Sequence, residues 1–236
     1  MTAVLEFADV RASYGPFRAL FGVSFSIGAG EAVALVGSNG AGKTTVARVA
    51  SGLVRPDSGS VLVDGVDMAG ARAYRFARAG IVMAPEGRSV FASLTVEENL
   101  TLSFRRVRGR RGVAPSLARA YELFPVLGRR KDQVAGTMSG GEQRMLSLAR
   151  VMVEEPKLLI ADEISLGLAP LVVDQLYESL RTLVAGGTSL LIVEQQVGHA
   201  LRLCDRVAVL QHGAVSWTGN SADAASRVEA WLSPTG

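Results

Sequence analysis

The apolar positions of the chain follow two alternating patterns. Short apolar runs rich in β-branched residues are typical of buried strands, and they occupy residues 4–10, 20–27, 32–36, 60–65, 81–83, 157–163, 189–193, 207–210 and 214–217. Segments with an amphipathic repeat or helix-capping signals are typical of helices, and they occupy residues 43–51, 71–79, 95–104, 117–127, 139–153, 171–185, 197–204 and 222–232. Because strands and helices alternate along most of the chain, the pattern predicts an α/β fold.

One region interrupts this alternation. Between residues 100 and 136 the strand pattern stops and helical periodicity takes over from Leu117. We therefore predict a single domain over residues 1–236, with a helical subdomain inserted at about residues 87–137. The run Arg105–Arg111 within it contains five arginines, which could contact nucleic acid or anionic lipid. Because glycine breaks this run and Phe104 is the one adjacent aromatic residue, a solvated loop is the favoured interpretation.

Composition narrows the class of protein. Of 236 residues, 48% are hydrophobic and 20% are charged, and the net charge of +3 is too small to imply a nucleic-acid partner by itself. The single cysteine excludes an internal disulfide and a cysteine-based metal cluster. The first residues lack the pattern of a signal peptide, and no apolar run approaches the length of a membrane span. We expect a soluble, cytoplasmic protein that reaches a membrane only through other chains.

A phosphate-binding motif organises the chain. The pattern G-x-x-x-x-G-K-[ST] lies between a predicted strand and a predicted helix, as the motif requires, and its residues are Gly37, Ser38, Asn39, Gly40, Ala41, Gly42, Lys43, Thr44 and Thr45. The glycines allow backbone N–H groups to converge on a phosphate. Lys43 would reach the β- and γ-phosphates and the Thr44 hydroxyl would bind Mg²⁺. The alternative, a glycine-rich turn that binds nothing, is disfavoured by the flanking strand and helix.

Two carboxylates end a later apolar strand. Asp162 suits the role of a Mg²⁺ partner in a phosphate-loop enzyme, and the adjacent Glu163 could polarise the water that attacks the γ-phosphate. The alternative is an ordinary solvated strand end.

A third motif opens a helix. Ser139 and Glu142 have the S-x-x-E spacing of a capping box, with Gly140 and Gly141 between them. This pattern fits a well-capped helix, and it also fits a second anion-binding surface at a helix N-terminus.

These three motifs, in this order and spacing, resemble the ATPase subunits of ABC transporters, and the resemblance covers essentially the whole chain. It implies a P-loop NTPase fold of the ABC ATPase type, with an antiparallel β portion and the inserted helical subdomain. It further implies that ATP is bound with Mg²⁺, that Tyr14 stacks on adenine and that Glu163 is the catalytic carboxylate. Ser139, Gly140 and Gly141 would belong to the surface that meets ATP held by a second ATPase subunit. Transmembrane permease subunits and a substrate-binding protein are the further implied partners, with no nucleic acid.

Three positions depart from the general family pattern. Glu86 stands where a loop glutamine is usual, Gln195 stands in place of the switch histidine, and Ile164 follows Glu163 where proline is common. The resemblance assigns Glu86 and Gln195, with Glu163, to the catalytic residues.

The departures at Glu86 and Gln195 belong to a set of stretches that together resemble one subgroup, the second ATPase of branched-chain amino acid importers, whose relatives serve urea and amide uptake. These stretches are residues 85–88, 95–100, 165–170 and 193–195. In that subgroup the subunit pairs with a different ATPase that keeps the histidine. The alternatives are an ATPase for lipid or polysaccharide export and a soluble ABC protein without a transport role. A small-molecule P-loop kinase does not account for the Ser-Gly-Gly motif.

Overall fold

The computed structural model describes residues 3–84, 90–195 and 197–225, and these fall into two compact units. The first, which we call the sheet unit, comprises described residues of Met1–Met83, Pro156–Ile164 and Val184–Gly236. The second, the helical unit, comprises described residues of Ala84–Glu155 and Ser165–Leu183.

Among the described residues, the sheet unit contains ten strands and four of the helices. Its strands are β1 (Ala3–Tyr14), β2 (Phe17–Gly28), β3 (Ala32–Val36), β4 (Ser58–Val63), β5 (Val66–Asp67), β6 (Ile81–Met83), β7 (Leu158–Asp162), β8 (Ser189–Glu194), β9 (Arg206–Gln211) and β10 (Ala214–Asn220). Its first two helices are α1 (Lys43–Ala50) and α2 (Ala73–Arg78), and two further short helices follow strands β8 and β10.

The strands form two sheets. One has six strands in the order β10-β9-β3-β8-β7-β6, in which the five strands from β9 to β6 run parallel. The other has four strands in the order β2-β1-β4-β5 and is antiparallel. The predicted α/β fold with an antiparallel β portion is confirmed.

Burial explains why the parallel strands read as continuous apolar runs. Every residue of β3 and of β8 is buried, as expected for central strands of a parallel sheet that is covered on both faces. The hairpin strand β1 mixes buried and exposed residues instead, and the residues of the edge strand β10 are half-buried or exposed. The carboxyl ends of β3, β7 and β8 therefore meet at one edge of the sheet, which is where the predicted chemistry lies.

The helical unit contains the longest helix and the helix of the Ser-Gly-Gly motif. Its helices are α3 (Val96–Leu123), α4 (Pro125–Arg129), α5 (Gly140–Met152) and most of α6 (Pro170–Ala185). The last two helices, α7 (Val197–Leu203) and α8 (Ser221–Ala225), belong to the sheet unit. The helical unit is wider than the predicted insertion, because α5 and most of α6 belong to the same compact unit as α3 and α4.

The predicted loop at Arg105–Arg111 is wrong. Helix α3 continues through this run and departs from helical geometry only at Gly109, where φ is 68°. Two helical segments thus meet at Gly109, since glycine adopts a positive φ at little steric cost. Among the described residues, no helix is long and apolar enough to cross a membrane.

Candidate nucleotide site

The loop between β3 and α1 lies against strands that leave no room for side chains at two glycines. A Cβ atom on Gly37 would lie 2.3 Å from the carbonyl oxygen of Leu210, on β9, and one on Gly42 would lie 2.9 Å from that of Ala19, on β2. Gly42 also has a φ of 101°, in the region that favours glycine. The loop backbone is therefore held in one shape, which preorganises its N–H groups for an anion.

Lys43 lies inside this loop with 4% of its surface exposed. Its ammonium group donates to the carbonyl oxygens of Gly37 at 3.0 Å and Ser38 at 3.1 Å. A carboxylate oxygen of Glu163 lies 3.9 Å from the same nitrogen. A buried ammonium needs such acceptors, and phosphate oxygens are stronger ones than carbonyls because they are charged.

The other residues of the phosphate-binding motif differ in their exposure to solvent. Ser38, Asn39 and Gly40 are exposed, Thr44 is half-buried, and Ala41 and Thr45 are buried. The Ala41 carbonyl accepts the Gly213 N–H at 2.9 Å, which fixes the loop to the β9–β10 turn.

Strand β7 brings both predicted carboxylates to the edge at which the loop begins. Asp162, its last residue, pairs with Val193 of β8, and the Glu163 N–H donates to the Val193 carbonyl at 2.8 Å. Glu163 has a φ of 44°, a left-handed conformation that costs a residue with a Cβ about 1 kcal/mol. Its side chain is one-third exposed. The hydrogen bond to β8 thus anchors the backbone of Glu163 in this conformation, and its carboxylate faces Lys43.

The departures from the family pattern fall in different environments. Gln195 is exposed and directly follows β8, which lies between β3 and β7 in the sheet. Its backbone therefore lies at the same sheet edge as the loop and the carboxylates. Ile164 is 1% exposed, so this apolar residue belongs to the buried core. Glu86 lies outside the described residues.

Tyr14 ends β1 and is 43% exposed. It pairs across the hairpin with Phe17, which is 77% exposed. From there β2 continues to Ala19, whose carbonyl faces Gly42, so the hairpin approaches the phosphate loop. Phe17 gives no functional signal in the sequence, because an aromatic residue ahead of an apolar strand looks like a core residue until its exposure is known.

The Ser-Gly-Gly motif begins helix α5 in the helical unit with a complete capping box. The Glu142 carboxylate accepts both the Ser139 N–H and the Ser139 hydroxyl at 2.9 Å, and the Ser139 oxygen accepts the Glu142 N–H at 3.3 Å. The predicted capping box is confirmed. Gly140 and Gly141 follow it, and a Cβ on Gly141 would lie 3.1 Å from the Val172 side chain, so this position also has little spare room.

Two oxygen donors in the sheet unit fit a magnesium ion. The Thr44 hydroxyl and the Asp162 carboxylate are hard ligands of the kind Mg²⁺ prefers, and Mg²⁺ commonly takes its remaining ligands from water and substrate phosphates. In the described part of the chain, no group of three or more histidine, cysteine or acidic residues could hold a metal by itself. The donor set therefore fits an ion that binds together with a nucleotide.

The helical unit also contains a cavity of about 650 Å³ at the junction of α3, α4, α5 and α6. None of the predicted site residues lines it.

Comparisons with known proteins agree with this geometry. The family model of ABC transporters matches residues 20–165. The chain is 41% identical over 212 residues to the high-affinity branched-chain amino acid transport ATP-binding protein BraG of Pseudomonas aeruginosa, covering 90% of this chain and 91% of that protein. It is 38% identical over 216 residues to the Nod factor export ATP-binding protein I of Mesorhizobium japonicum, covering 90% of this chain and 62% of that protein.

Solved structures have the same fold. A structure of the ATP-binding subunit of an ABC transporter is 29% identical, has a TM-score of 0.81 and covers 99% of this chain and 95% of that one. The structure of cbiO1 from Clostridium perfringens, part of the ABC transporter complex cbiONQ, is 26% identical, has a TM-score of 0.85 and covers 98% of this chain and 93% of that one. With its phosphate loop, paired carboxylates and Ser-Gly-Gly helix, the chain belongs to the ABC transporter family as one of its ATPase subunits.

Proposed function

We propose that the chain hydrolyses ATP to drive the uptake of branched-chain amino acids. The observation that carries the hydrolytic part is the 3.9 Å approach of the Lys43 ammonium and the Glu163 carboxylate across 120 residues of sequence. These two groups have complementary tasks, since a cation stabilises charge on the γ-phosphate and a carboxylate orients the attacking water.

Lys43 changes partners when nucleotide binds. Its ammonium is held by two loop carbonyls and faces Glu163. Phosphate oxygens would replace these weaker partners, which leaves the Glu163 carboxylate free to accept a hydrogen bond from water. Because Glu163 is held by its backbone bond to β8, its carboxylate stays near the loop during this exchange.

Thr44 and Asp162 would hold Mg²⁺ beside the phosphates. The ion would neutralise charge that develops on the phosphate oxygens. Tyr14, and with it Phe17, offers an exposed ring on which the adenine could stack.

Gln195 would supply a neutral hydrogen-bond donor at the sheet edge where the phosphate loop and the two carboxylates lie. Glutamine can donate a hydrogen bond to a γ-phosphate, but it lacks the positive charge that histidine can carry. Glu86, which follows β6 in the sequence, would by the family resemblance add a negative charge near the nucleotide. We therefore propose that the chain works with a second, histidine-bearing ATPase subunit, whose ATP would meet Ser139, Gly140 and Gly141.

The importer assignment follows from likeness to relatives. The branched-chain amino acid relative matches at higher identity and over nearly its full length, whereas the Nod factor export relative extends well beyond the matched segment. The chain would sit on the inner face of the cell membrane through permease subunits, with a substrate-binding protein delivering the solute. Urea or amide import is the nearest alternative, and lipid or polysaccharide export is a more distant one.

A three-sample measurement tests the asymmetric pair. Steady-state ATPase activity is compared for the isolated chain, the chain co-purified with its partner subunits, and the isolated Gln195→His protein. We expect low activity in the first sample, a large gain in the second and a partial gain in the third. Full activity of the isolated wild-type chain, unchanged by partners or by the substitution, would refute the pair. Leucine uptake by proteoliposomes of the complete assembly, with urea as the competing solute, tests the substrate.

A further inference from the structure

The helical unit carries a cationic segment that the proposed function does not use. Arg105, Arg106 and Arg108 lie on α3 before the break at Gly109, and two more arginines follow the break. All five arginines are exposed. We call residues 102–111 the arginine segment. Because the segment is helical, its side chains have defined directions, which a solvated loop would not provide.

The protein compensates this charge only in part, since the Glu154 carboxylate attracts Arg108 and Arg106. No aspartate or glutamate occurs between Glu98 and Glu122. Arg108 donates to the backbone carbonyl of Glu154 at 3.1 Å. In the described ranges, no ion pair within 4 Å involves the other four arginines. Clustered cations raise the local positive potential, so the segment favours an anionic partner.

Apolar side chains accompany the cations. Leu102 is 49% exposed, and Val107 is 51% exposed. Leu102 shares one face of α3 with Arg105 and Arg106, because they follow it by three and four positions. Cations beside apolar side chains suit a bilayer surface, where phosphate groups overlie hydrocarbon.

A nucleic-acid partner fits this surface less well. Single-stranded nucleic acids bind to exposed aromatic side chains beside cationic grooves, and the one aromatic residue of the segment, Phe104, is fully buried.

We propose that the arginine segment binds the anionic headgroups of membrane phospholipids. Guanidinium groups contact phosphate oxygens in pairs, and the exposed Leu102 enters the interface between them. The inference rests on the proposed function only in that a membrane-attached transporter brings the segment near lipid. It adds a direct lipid contact to the attachment through permease subunits.

Vesicle co-sedimentation of the full purified chain, without nucleotide, tests the proposal. Vesicles of phosphatidylcholine are compared with vesicles that also contain phosphatidylglycerol. We expect the chain to sediment only with the anionic vesicles and to be released at about 0.5 M salt, where electrostatic attraction is screened within a few ångströms. Equal binding to both vesicle types, or none to either, would overturn the proposal.

Two matched double variants locate the surface. Arg105→Gln with Arg106→Gln should weaken partitioning about tenfold or more. Arg72→Gln with Arg75→Gln removes the same charge from two exposed arginines of the sheet unit and should change it less than about twofold. Equal losses would mean that net charge alone drives binding, and tighter retention of an RNA oligonucleotide than of vesicles would assign the segment to nucleic acid.

ATPase activity of the assembled transporter separates this proposal from the proposed function. An active assembly whose isolated chain ignores anionic vesicles would overturn the lipid contact alone. An inactive assembly whose chain binds them through Arg105 and Arg106 would overturn the hydrolytic function alone.

Discussion

The helices that begin at the phosphate loop and at the Ser-Gly-Gly motif start in opposite ways. Helix α1 follows Gly42 in a left-handed conformation, and no side chain caps its first turn. Helix α5 follows Ser139, and a reciprocal capping box with Glu142 closes its first turn. One N-terminus is left open to a ligand, and the other is already occupied by the protein's own carboxylate.

This difference suggests when each helix meets a phosphate. The backbone donors of α1 and the loop before it are preorganised, so the chain alone can hold a nucleotide there. At α5 an incoming phosphate has to compete with the Glu142 carboxylate for the Ser139 N–H and hydroxyl. Arg130 lies 3.2 Å from the same carboxylate group and offers it another partner. We therefore expect α5 to engage nucleotide only when another subunit presents it.

The largest expected effect on ATPase activity comes from removing the ammonium group of Lys43, the first residue of α1. Lys43→Ala deletes the ammonium group that phosphate oxygens would bind, and ATPase activity of the assembled transporter should fall about 10³-fold. Lys131→Ala removes an exposed lysine and is the matched control, with activity expected to stay unchanged. Normal hydrolysis by the Lys43→Ala assembly would mean that the open N-terminus is not the nucleotide site.

Glu163→Gln should have a smaller effect on turnover while leaving nucleotide binding intact. Glutamine keeps the shape of the side chain but cannot act as a base, so hydrolysis should slow about 10²-fold or more. Binding of a fluorescent ATP analogue, measured beside the rate, should remain near the wild-type value. Glu6→Gln, at an exposed position of β1, serves as the control, and equal rates for both variants would remove Glu163 from the mechanism.

The capped N-terminus of α5 can be compared with the N-terminus of α3, which has a capping box in the same unit. Thr95 and Glu98 cap α3 as Ser139 and Glu142 cap α5. Ser139→Ala and Thr95→Ala should each lower the free energy of unfolding by about 1 kcal/mol, since each loses one cap. Only Ser139→Ala should also reduce ATPase activity of the assembled transporter. If both variants lose activity equally, the Ser139 hydroxyl acts only as a helix cap.

The smallest expected effect is on the pH dependence of stability, and it involves Glu154, just beyond the C-terminal end of α5. Burial raises the pKa of Glu154, although Arg108, Arg106 and Arg150 oppose the shift. The folded state therefore holds this proton more tightly than the unfolded state, and stability falls as pH rises from the ordinary glutamate pKa through the raised value. In urea unfolding across that range, Glu154→Gln should show a shallower decline than wild type. If stability declines equally steeply with pH in both proteins, other titrating groups cause the decline.

Local patterns predicted the parts of the site that depend on neighbours in sequence. The phosphate loop needs its glycines and lysine at fixed spacing, and a capping box needs only four consecutive residues, so both could be found without a structure. Strand β7 was recognised because burial on both faces requires an unbroken apolar run, which ends at Asp162. Bounds were less accurate for β1 and β2, since their exposed outer ends carry no continuous apolar signal.

Features that depend on distant residues were decided by the tertiary structure. The spacing of Lys43 and Glu163 could not be measured along the chain, because it follows from the order of β3, β8 and β7 in one sheet. The need for glycine at position 37 comes from the Leu210 carbonyl, more than 170 residues away. The arginine run is another case, since a glycine in a polar stretch can begin a loop or join two helical segments, and the structure has the second arrangement. The sequence by itself determined which chemical groups the site contains, and the tertiary structure determined their distances, because strand pairing and packing act between residues far apart in the chain.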